Sequence, residues 1–251
     1  MENKKYKVGS VHSTNKYGDF IITKYVNAHN VHIKFLNTGY EKVVCSSHIL
    51  LGEIKDRYFP SVNGVGILGE EPSRDENGHK LKEYLLWTHM IARCYAEISK
   101  LKSPSYQDCV VSDNFKYYPF FKNWCSKQIG FGIEGWELDK DILVKGNKLY
   151  SEDTCCFVPA EINSLFVKCD RSRGDFPLGV NYHKASCKFV AQINYNKKRV
   201  HLGLYNTVED AFLAYKKAKE SQIKSMAEKY KMVLDYRVYK TMIEYVVELE
   251  D

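Results

Sequence analysis

The stretch KFVAQINYNKKRVHLGLYNTVEDAFLAYKKA, residues 188–218, decides the fold of the C-terminal part of this chain. Cys187–Tyr195 and Lys198–Tyr205 are predicted to be strands, and apolar and polar residues alternate over 191–194 and 199–202, a period of two that is typical of half-buried strands. Asn196 and Lys197 are expected to form a tight turn between these two strands, and a shorter strand is predicted near Val180–His183. The sequence therefore predicts a small antiparallel sheet.

After the second long strand the pattern changes to helical spacing. Thr207 is typical of a helix N-cap, and Asp210 completes a capping box three residues later. The apolar stripe of this helix consists of Ala211, Phe212, Tyr215 and Ala218. We expect a three-stranded sheet packed on one helix, then a closing helix over Tyr236–Tyr245 and an edge strand over 246–249.

The two faces of the predicted sheet differ in chemistry. The residues expected to face the helix are apolar: Ala191, Ile193, Val200 and Leu202. Those expected to face away are polar: Gln192, Asn194, Arg199 and His201. Such a set of hydrogen-bonding side chains is what reading of DNA base edges requires.

Positive charge is concentrated in the same region. Residues 178–232 contain eleven Lys or Arg and four Asp or Glu, an excess of seven, whereas the whole chain has a formal net charge of +6. A compact unit with this surplus attracts a polyanion, because counterions are released on binding. A nucleic acid is the expected partner.

The spaced residues of this region resemble the AP2 DNA-binding domain. The resemblance covers about fifty residues and is carried by Gly179-Val180, 188–193, 199–203 and the helix start from Tyr205 to Tyr215. It implies that the sheet lies in the major groove of double-stranded DNA and that the helix braces it. The base-reading positions implied are Asn181, His183, Gln192, Asn194, Arg199 and His201. The lysines assigned to phosphates are Lys184, Lys188, Lys197 and Lys198.

A second resemblance precedes this region. The segment from Trp136 to Ile142, with Gly146-Asn147, Val158-Pro159 and Ile162-Asn163, is similar to the core of phage-type HNH homing endonucleases. That resemblance implies a β-hairpin followed by a helix, clasping one divalent ion. Catalysis there requires a histidine to take a proton from water and a bound metal to stabilise the transition state.

The expected histidine of this motif is missing. Asp141 stands at its position, and Lys140 replaces the neighbouring acid. An aspartate is a poor base for water at neutral pH, and a lysine would compete with a metal by charge. Two alternatives stay open: a nuclease-inactive scaffold, or a variant Mg²⁺ site in which Asp141 is catalytic and Asp139 and Asn163 are metal ligands.

The N-terminal part of the chain has the pattern of a small β-rich unit. Short strands are expected over Lys7–Val11, Asp19–Tyr25, Val31–Phe35 and Lys42–Cys45, as in an SH3-like small barrel. We therefore predict an α+β protein with four segments. They are a β-barrel over 1–69, a linker over 70–83, an HNH-like ββα domain with flanking helices over 84–174, and an AP2-like domain over 175–251.

Composition limits the remaining possibilities. No run approaches the ~18 apolar residues that span a bilayer, and the first residues do not resemble a secretory signal, so we expect no membrane partner and a cytoplasmic location. The resemblance to phage-type endonucleases implies that the host cell is bacterial. The eight cysteines contain no Cys-x-x-Cys pair, which disfavours a zinc ribbon and favours reduced thiols. The sequence does not indicate an oligomeric state.

Three functions compete at this point. The leading hypothesis is a sequence-specific DNA-binding protein derived from a homing endonuclease, acting by site occupancy as a transcriptional repressor and needing no cofactor to bind. An active Mg²⁺-dependent endonuclease that nicks or cleaves its recognition site is the alternative, so whether the chain is an enzyme stays open. A protein-interaction module built on the N-terminal unit is the third.

Overall fold

The computed structural model describes residues 6–166, 176–195 and 198–249. It is a mixed α+β protein with several small sheets, which confirms the predicted class. The chain forms two compact units, one of residues 1–126 with 148–152 and one of residues 127–147 with 153–251. The bounds of the four segments proposed from sequence stay predictions.

An antiparallel meander opens the first unit. Its strands lie side by side in chain order: β1 (Val11–Ser13), β2 (Asp19–Asn27), β3 (Asn30–Phe35) and β4 (Glu41–Val44), followed by helix α1 (Ser46–Leu51). Alternate residues of β2 and β3, namely Phe20, Ile22, Val31, Ile33 and Phe35, are buried in one core. The buried residues therefore follow the period of two that a strand with one buried face requires.

Two details of this sheet differ from expectation. Within the described residues the sheet is open, with β1 and β4 at opposite edges, and it does not close into a barrel. The first strand begins at Val11 rather than at Lys7, because residues 7–10 form a turn in which the Ser10 amide donates to the Lys7 carbonyl and Gly9 has a φ of 85°.

Helices complete the first unit. They are α2 (Lys82–Tyr95), α3 (Glu97–Lys102), α4 (Asp113–Lys116) and α5 (Tyr118–Ser126), with the short parallel pair β5 (Val110–Val111) and β7 (Leu149–Tyr150). Trp87, Met90 and Cys94 of α2 are buried, and the Trp87 indole donates to the Phe115 carbonyl at 2.7 Å. Helices α4 and α5 are separate, because the backbone at Tyr117 between them is extended.

The second unit combines two substructures. The first pairs β6 (Trp136–Asp139) with β8 (Cys156–Pro159) in antiparallel fashion, and α6 (Ala160–Asn163) follows directly. The second is a three-stranded antiparallel sheet in the order β11 (Lys198–Tyr205), β10 (Lys188–Tyr195), β9 (Val180–His183). Two helices end the chain: α7 (Val208–Tyr230) and α8 (Tyr236–Ile243).

Helix α7 belongs to both hydrophobic cores of this unit. Its first half packs Ala211, Phe212 and Tyr215 against the inner side of the three-stranded sheet. Its second half places Ile223 and Ala227 in the core formed by the ββα element and α8. The predicted cap is present, since Thr207 Oγ1 accepts a hydrogen bond from the Asp210 amide at 3.1 Å.

The predicted edge strand over 246–249 is not formed. Val247 is instead buried in the core behind the sheet, and its backbone is bonded by side chains of α7. The Val247 amide donates to Glu220 Oε1 at 2.9 Å, and the Lys216 ammonium donates to the Val247 carbonyl. Because both backbone groups have side-chain partners, the segment is anchored without a neighbouring strand.

Gly179 provides a test of how tightly α7 packs behind β9. Its φ is 76°, and a Cβ at this position would lie 2.0 Å from Cδ2 of Tyr215. We expect Gly179→Ala to lower the free energy of unfolding by about 3 kcal/mol, because backbone strain and a ring clash add. Urea unfolding followed by circular dichroism measures this loss.

The matched control is Gly132→Ala in the same unit. Gly132 has a φ of 86° and nothing within 4 Å of the added Cβ, so only the backbone cost of about 1 kcal/mol is expected. Equal losses in the two variants would contradict tight packing of Tyr215 on Gly179.

Candidate nucleic-acid interface

Strand register defines the outward face of the three-stranded sheet. Ala191 and Ile193 of β10 are buried against α7, so their neighbours Gln192 and Asn194 point away from the helix. Residues directly opposite one another in adjacent strands share a face. The outward residues thus pair across strands as Gln192 with His201, Asn194 with Arg199, Val190 with Asn181 and Lys188 with His183. All six side chains predicted to read bases lie on this one face.

A bulge in β11 shapes this face. Ala191 is opposite Gly203, but the next residue, Gln192, is opposite His201, so Leu202 is an extra residue. Leu202 packs against the core behind the sheet, whereas Leu204 lies opposite Val190 and points outward. Gly203 has a φ of 146°, a backbone conformation that residues with a side chain rarely adopt, so the bulge favours glycine here.

Val200 and Leu202 were both expected to face the helix. Leu202 is half-buried against the core, in agreement. Val200 lies opposite the buried Ile193 and therefore on the helix side, yet it remains 41% exposed. The difference arises because Val200 lies near the end of the β10–β11 hairpin, beyond the residues that fill the core.

The sequence that forms the three-stranded sheet carries positive charge and no acidic residue. From residue 176 to residue 208 the sequence has no Asp or Glu, while it has Lys184, Lys188, Lys197, Lys198 and Arg199. Lys184, Lys188, Lys198 and Arg199 are exposed, and no carboxylate among the described residues forms an ion pair with them. Lys197 lies outside the described residues, so its predicted phosphate contact is untested.

The polar side chains of this face are largely unengaged. His183 Nδ1 lies 2.8 Å from the Ser186 hydroxyl. For Asn181, Gln192, Asn194, Arg199 and His201, the described part of the chain supplies no side-chain hydrogen-bond partner. Their donors and acceptors are therefore available to an external ligand such as the base edges of DNA.

Gln222 supports this face from behind and was missed in the sequence analysis. Its side chain is buried on α7, and its amide nitrogen donates to the Asn194 carbonyl at 3.0 Å. This bond fixes the backbone of β10 where Asn194 points outward. The apolar stripe through Tyr215 and Ala218 continues to position 222, and that spacing was the signal that the glutamine faces the sheet.

The ββα element holds the other predicted site. Asp139 is buried at the end of β6, and its Oδ1 accepts hydrogen bonds from the backbone amides of Asp141 at 2.9 Å and Ile142 at 2.7 Å. Burial, together with the negative charge of Asp141, raises the pKa of Asp139 to about 6. Asp139 and Asp141 are therefore close enough to repel each other.

Lys140 occupies the space beside these carboxylates. Its side chain is 9% exposed, and its ammonium lies 2.9 Å from Asp141 Oδ2 and 2.9 Å from the Asn147 carbonyl. The Asn147 side chain donates to the Lys140 carbonyl at 2.6 Å and closes the loop. The positive charge that a divalent cation would bring is thus already supplied by the chain.

Asn163 has a different partner. Its side-chain nitrogen donates to Glu137 Oε2 at 2.7 Å, which joins the end of α6 to β6. No group of three His, Cys, Asp or Glu side chains suited to a metal ion occurs in the described ranges. The proposed metal role of Asn163 with Asp139 stays a prediction.

Comparison with known proteins adds no relative. No family model, curated protein or solved structure matches this chain. Among the helices that the structure describes, none is long and apolar enough to cross a membrane.

The raised pKa of Asp139 predicts a pH dependence of stability. Because the folded pKa lies above the ordinary value of 3.8, the folded state binds this proton more tightly. The stability that Asp139 contributes is therefore fully present below pH about 4 and is lost as the pH rises to about 6. Asp139→Asn keeps the acceptor for both amides but cannot ionise. Its free energy of unfolding, relative to that of the wild type, should therefore rise by about 2 kcal/mol between pH 4 and pH 7.

Urea unfolding at a series of pH values measures this difference. Asp141→Asn is the companion variant. Removing the charge of Asp141 should lower the pKa of Asp139 and so reduce the loss of stability that the wild type shows as the pH rises. Parallel pH curves for the wild type and Asp139→Asn would rule out a raised pKa at Asp139.

Proposed function

We propose that this chain is a sequence-specific double-stranded DNA-binding protein that acts by occupying its site, as a transcriptional repressor does. The observation that carries the proposal is the outward face of the β9–β10–β11 sheet. That face presents six polar side chains, flanked by cations and by no acid. Five of them have no side-chain hydrogen-bond partner in the described residues, and the sixth, His183, bonds only the Ser186 hydroxyl. A major groove about 12 Å wide admits such a strand-based reader.

The side chains on this face divide into two roles. Arg199 suits the O6 and N7 acceptors of guanine, and the amides of Asn181, Gln192 and Asn194 suit adenine. His183 and His201 complete the base-reading set. Lys184, Lys188, Lys197 and Lys198 are assigned to phosphates, where they contribute affinity without sequence information. Helix α7 and Gln222 hold the sheet from the opposite side.

The proposal includes a more specific fold for three parts of the chain. We assign the sheet with α7 to an AP2-like reader, the ββα element to an HNH-like core, and the N-terminal meander to an SH3-like unit. The chain then derives from a phage-type homing endonuclease and works in the cytoplasm of a bacterial host. The supporting features are the sheet–helix packing and the ββα order of β6, β8 and α6.

Two contacts in the ββα element favour site occupancy over DNA cleavage. The Asp141 carboxylate is paired with Lys140, and the Asn163 amide is paired with Glu137. Both groups would have to leave these partners to bind a cation. In this proposal the ββα element is a scaffold that packs under α7.

The alternative of a Mg²⁺-dependent nuclease has one observation in its favour. Burial, and after it repulsion from Asp141, raises the pKa of Asp139, and a divalent cation would relieve that repulsion. In that case Asp139 and Asn163 would hold Mg²⁺, Asp141 would act on water, and the ion would stabilise charge at the phosphate.

One assay separates these functions. Purified full chain is incubated with double-stranded DNA fragments in EDTA or in Mg²⁺, and both mobility shift and strand cleavage are measured. A shifted fragment that stays intact in Mg²⁺ supports occupancy. Cleavage that requires Mg²⁺ and is abolished by Asp141→Ala supports the nuclease. Absence of any sequence-dependent shift would overturn the DNA-binding proposal.

Two residues of the outward face test the assignment of roles. Arg199 lies opposite Asn194 and Lys188 lies opposite His183, both on this face, whereas Lys198 lies opposite Tyr195 and points to the other face. We expect Arg199→Ala to reduce discrimination at one or two base pairs by about 1–3 kcal/mol. Lys188→Ala should weaken all sequences alike and reduce the salt slope by about 1.

Competition binding with single-base variants of the site, repeated at several salt concentrations, measures both quantities. If the two substitutions have the same effect, the division into base-reading and phosphate-contacting residues is wrong.

A further inference from the structure

Two apolar side chains lie within the polar outward face. Val190 of β10 and Leu204 of β11 are directly opposite each other, and Asn181 of β9 is opposite Val190 on the other side. The three residues therefore form a row across all three strands. The next pair along the sheet is Gln192 with His201.

Val190 and Leu204 do not belong to the hydrophobic core behind the sheet. The cluster behind the sheet is formed by residues on its other face, such as Ala191, Phe189 and Tyr205, and by α7. Leu204 is 43% exposed, and Val190 is half-buried. Regular alternation would have turned Leu204 inward with Val200 and Leu202, and the bulge at Leu202–Gly203 turns it outward instead. A β-branched and a γ-branched side chain are thus presented side by side toward the ligand.

Base edges in the major groove offer one apolar group. It is the C5-methyl of a pyrimidine, while the other exposed positions are hydrogen-bond donors and acceptors. An apolar side chain facing a donor or acceptor would leave that polar group unpaired, which is costly. Val190 and Leu204 therefore match a methyl group better than any other feature of the groove.

We propose that Val190 and Leu204 form a contact for a pyrimidine C5-methyl group near the centre of the recognised DNA site. The inference rests on the proposed DNA-binding function and makes it more specific. It assigns a specificity-determining role to two residues outside the polar set. The methyl group belongs to thymine or to 5-methylcytosine, which share this chemistry, and Asn181 in the same row suits an adjacent adenine.

The test begins with sites selected by the full chain from two double-stranded DNA libraries, one unmodified and one with 5-methylcytosine. Each thymine of the selected site is then replaced singly by deoxyuridine, which lacks only the methyl group. We expect one or two positions at which this change weakens binding about fourfold, the factor for losing one buried methyl group. In the Val190→Ala and Leu204→Ala variants the effect of deoxyuridine at those positions should disappear.

Val200→Ala is the matched control. Val200 is an apolar residue of the same strand, 41% exposed compared with 43% for Leu204, but it faces the helix side. The Val200→Ala variant should keep the full deoxyuridine effect. Thermal unfolding of all three variants checks that the sheet is intact.

The outcomes separate this inference from the function on which it rests. If the chain selects a site and deoxyuridine weakens binding at particular thymines, the source of the methyl group is thymine. If only the methylated library yields a site and demethylation weakens binding, the source is 5-methylcytosine. A selected site that tolerates every methyl removal overturns the Val190–Leu204 contact and leaves DNA binding standing. Failure to select any site overturns the proposed function itself.

Discussion

The sharing of helix α7 between two hydrophobic cores is the constraint on which the second unit depends. The helix has 23 residues and is about 34 Å long, so one end packs Tyr215 behind the three-stranded sheet while the other packs Ile223 into the core of the ββα element. Neither core is complete without its half of the helix. The sheet and the ββα element are therefore joined through one helix.

The packing contacts of the three-stranded sheet lie on its inner face. Gly179 lets the Tyr215 ring approach β9, Gly203 permits the bulge beneath the Tyr205 hydroxyl, and Gln222 bonds the carbonyl of Asn194. With the sheet held in these ways, its outward side chains need no contacts with one another. Functional surfaces of small proteins commonly combine such unsatisfied polar side chains with a well-packed support.

In the ββα element a lysine supplies positive charge beside two aspartates. Lys140 is almost fully buried, and its ammonium bonds both Asp141 and the Asn147 carbonyl. Removing one partner from such a buried arrangement leaves an uncompensated charge, which is strongly unfavourable. The lysine therefore stabilises the loop in its present form. This accords with a role for the element in supporting the sheet through α7.

By itself the sequence determined the strands of the C-terminal sheet and the N-cap of α7. It also determined which polar side chains share the outer face of the sheet and where positive charge is concentrated. These features depend on residues two to four positions apart, so local spacing reveals them. Only the tertiary structure decided that Leu204 faces outward, that Val247 is held by Glu220 rather than by a strand, and that α7 serves two cores. A bulge, a side-chain bond to a distant backbone and a shared helix arise from contacts between residues far apart in the chain, which no local pattern encodes.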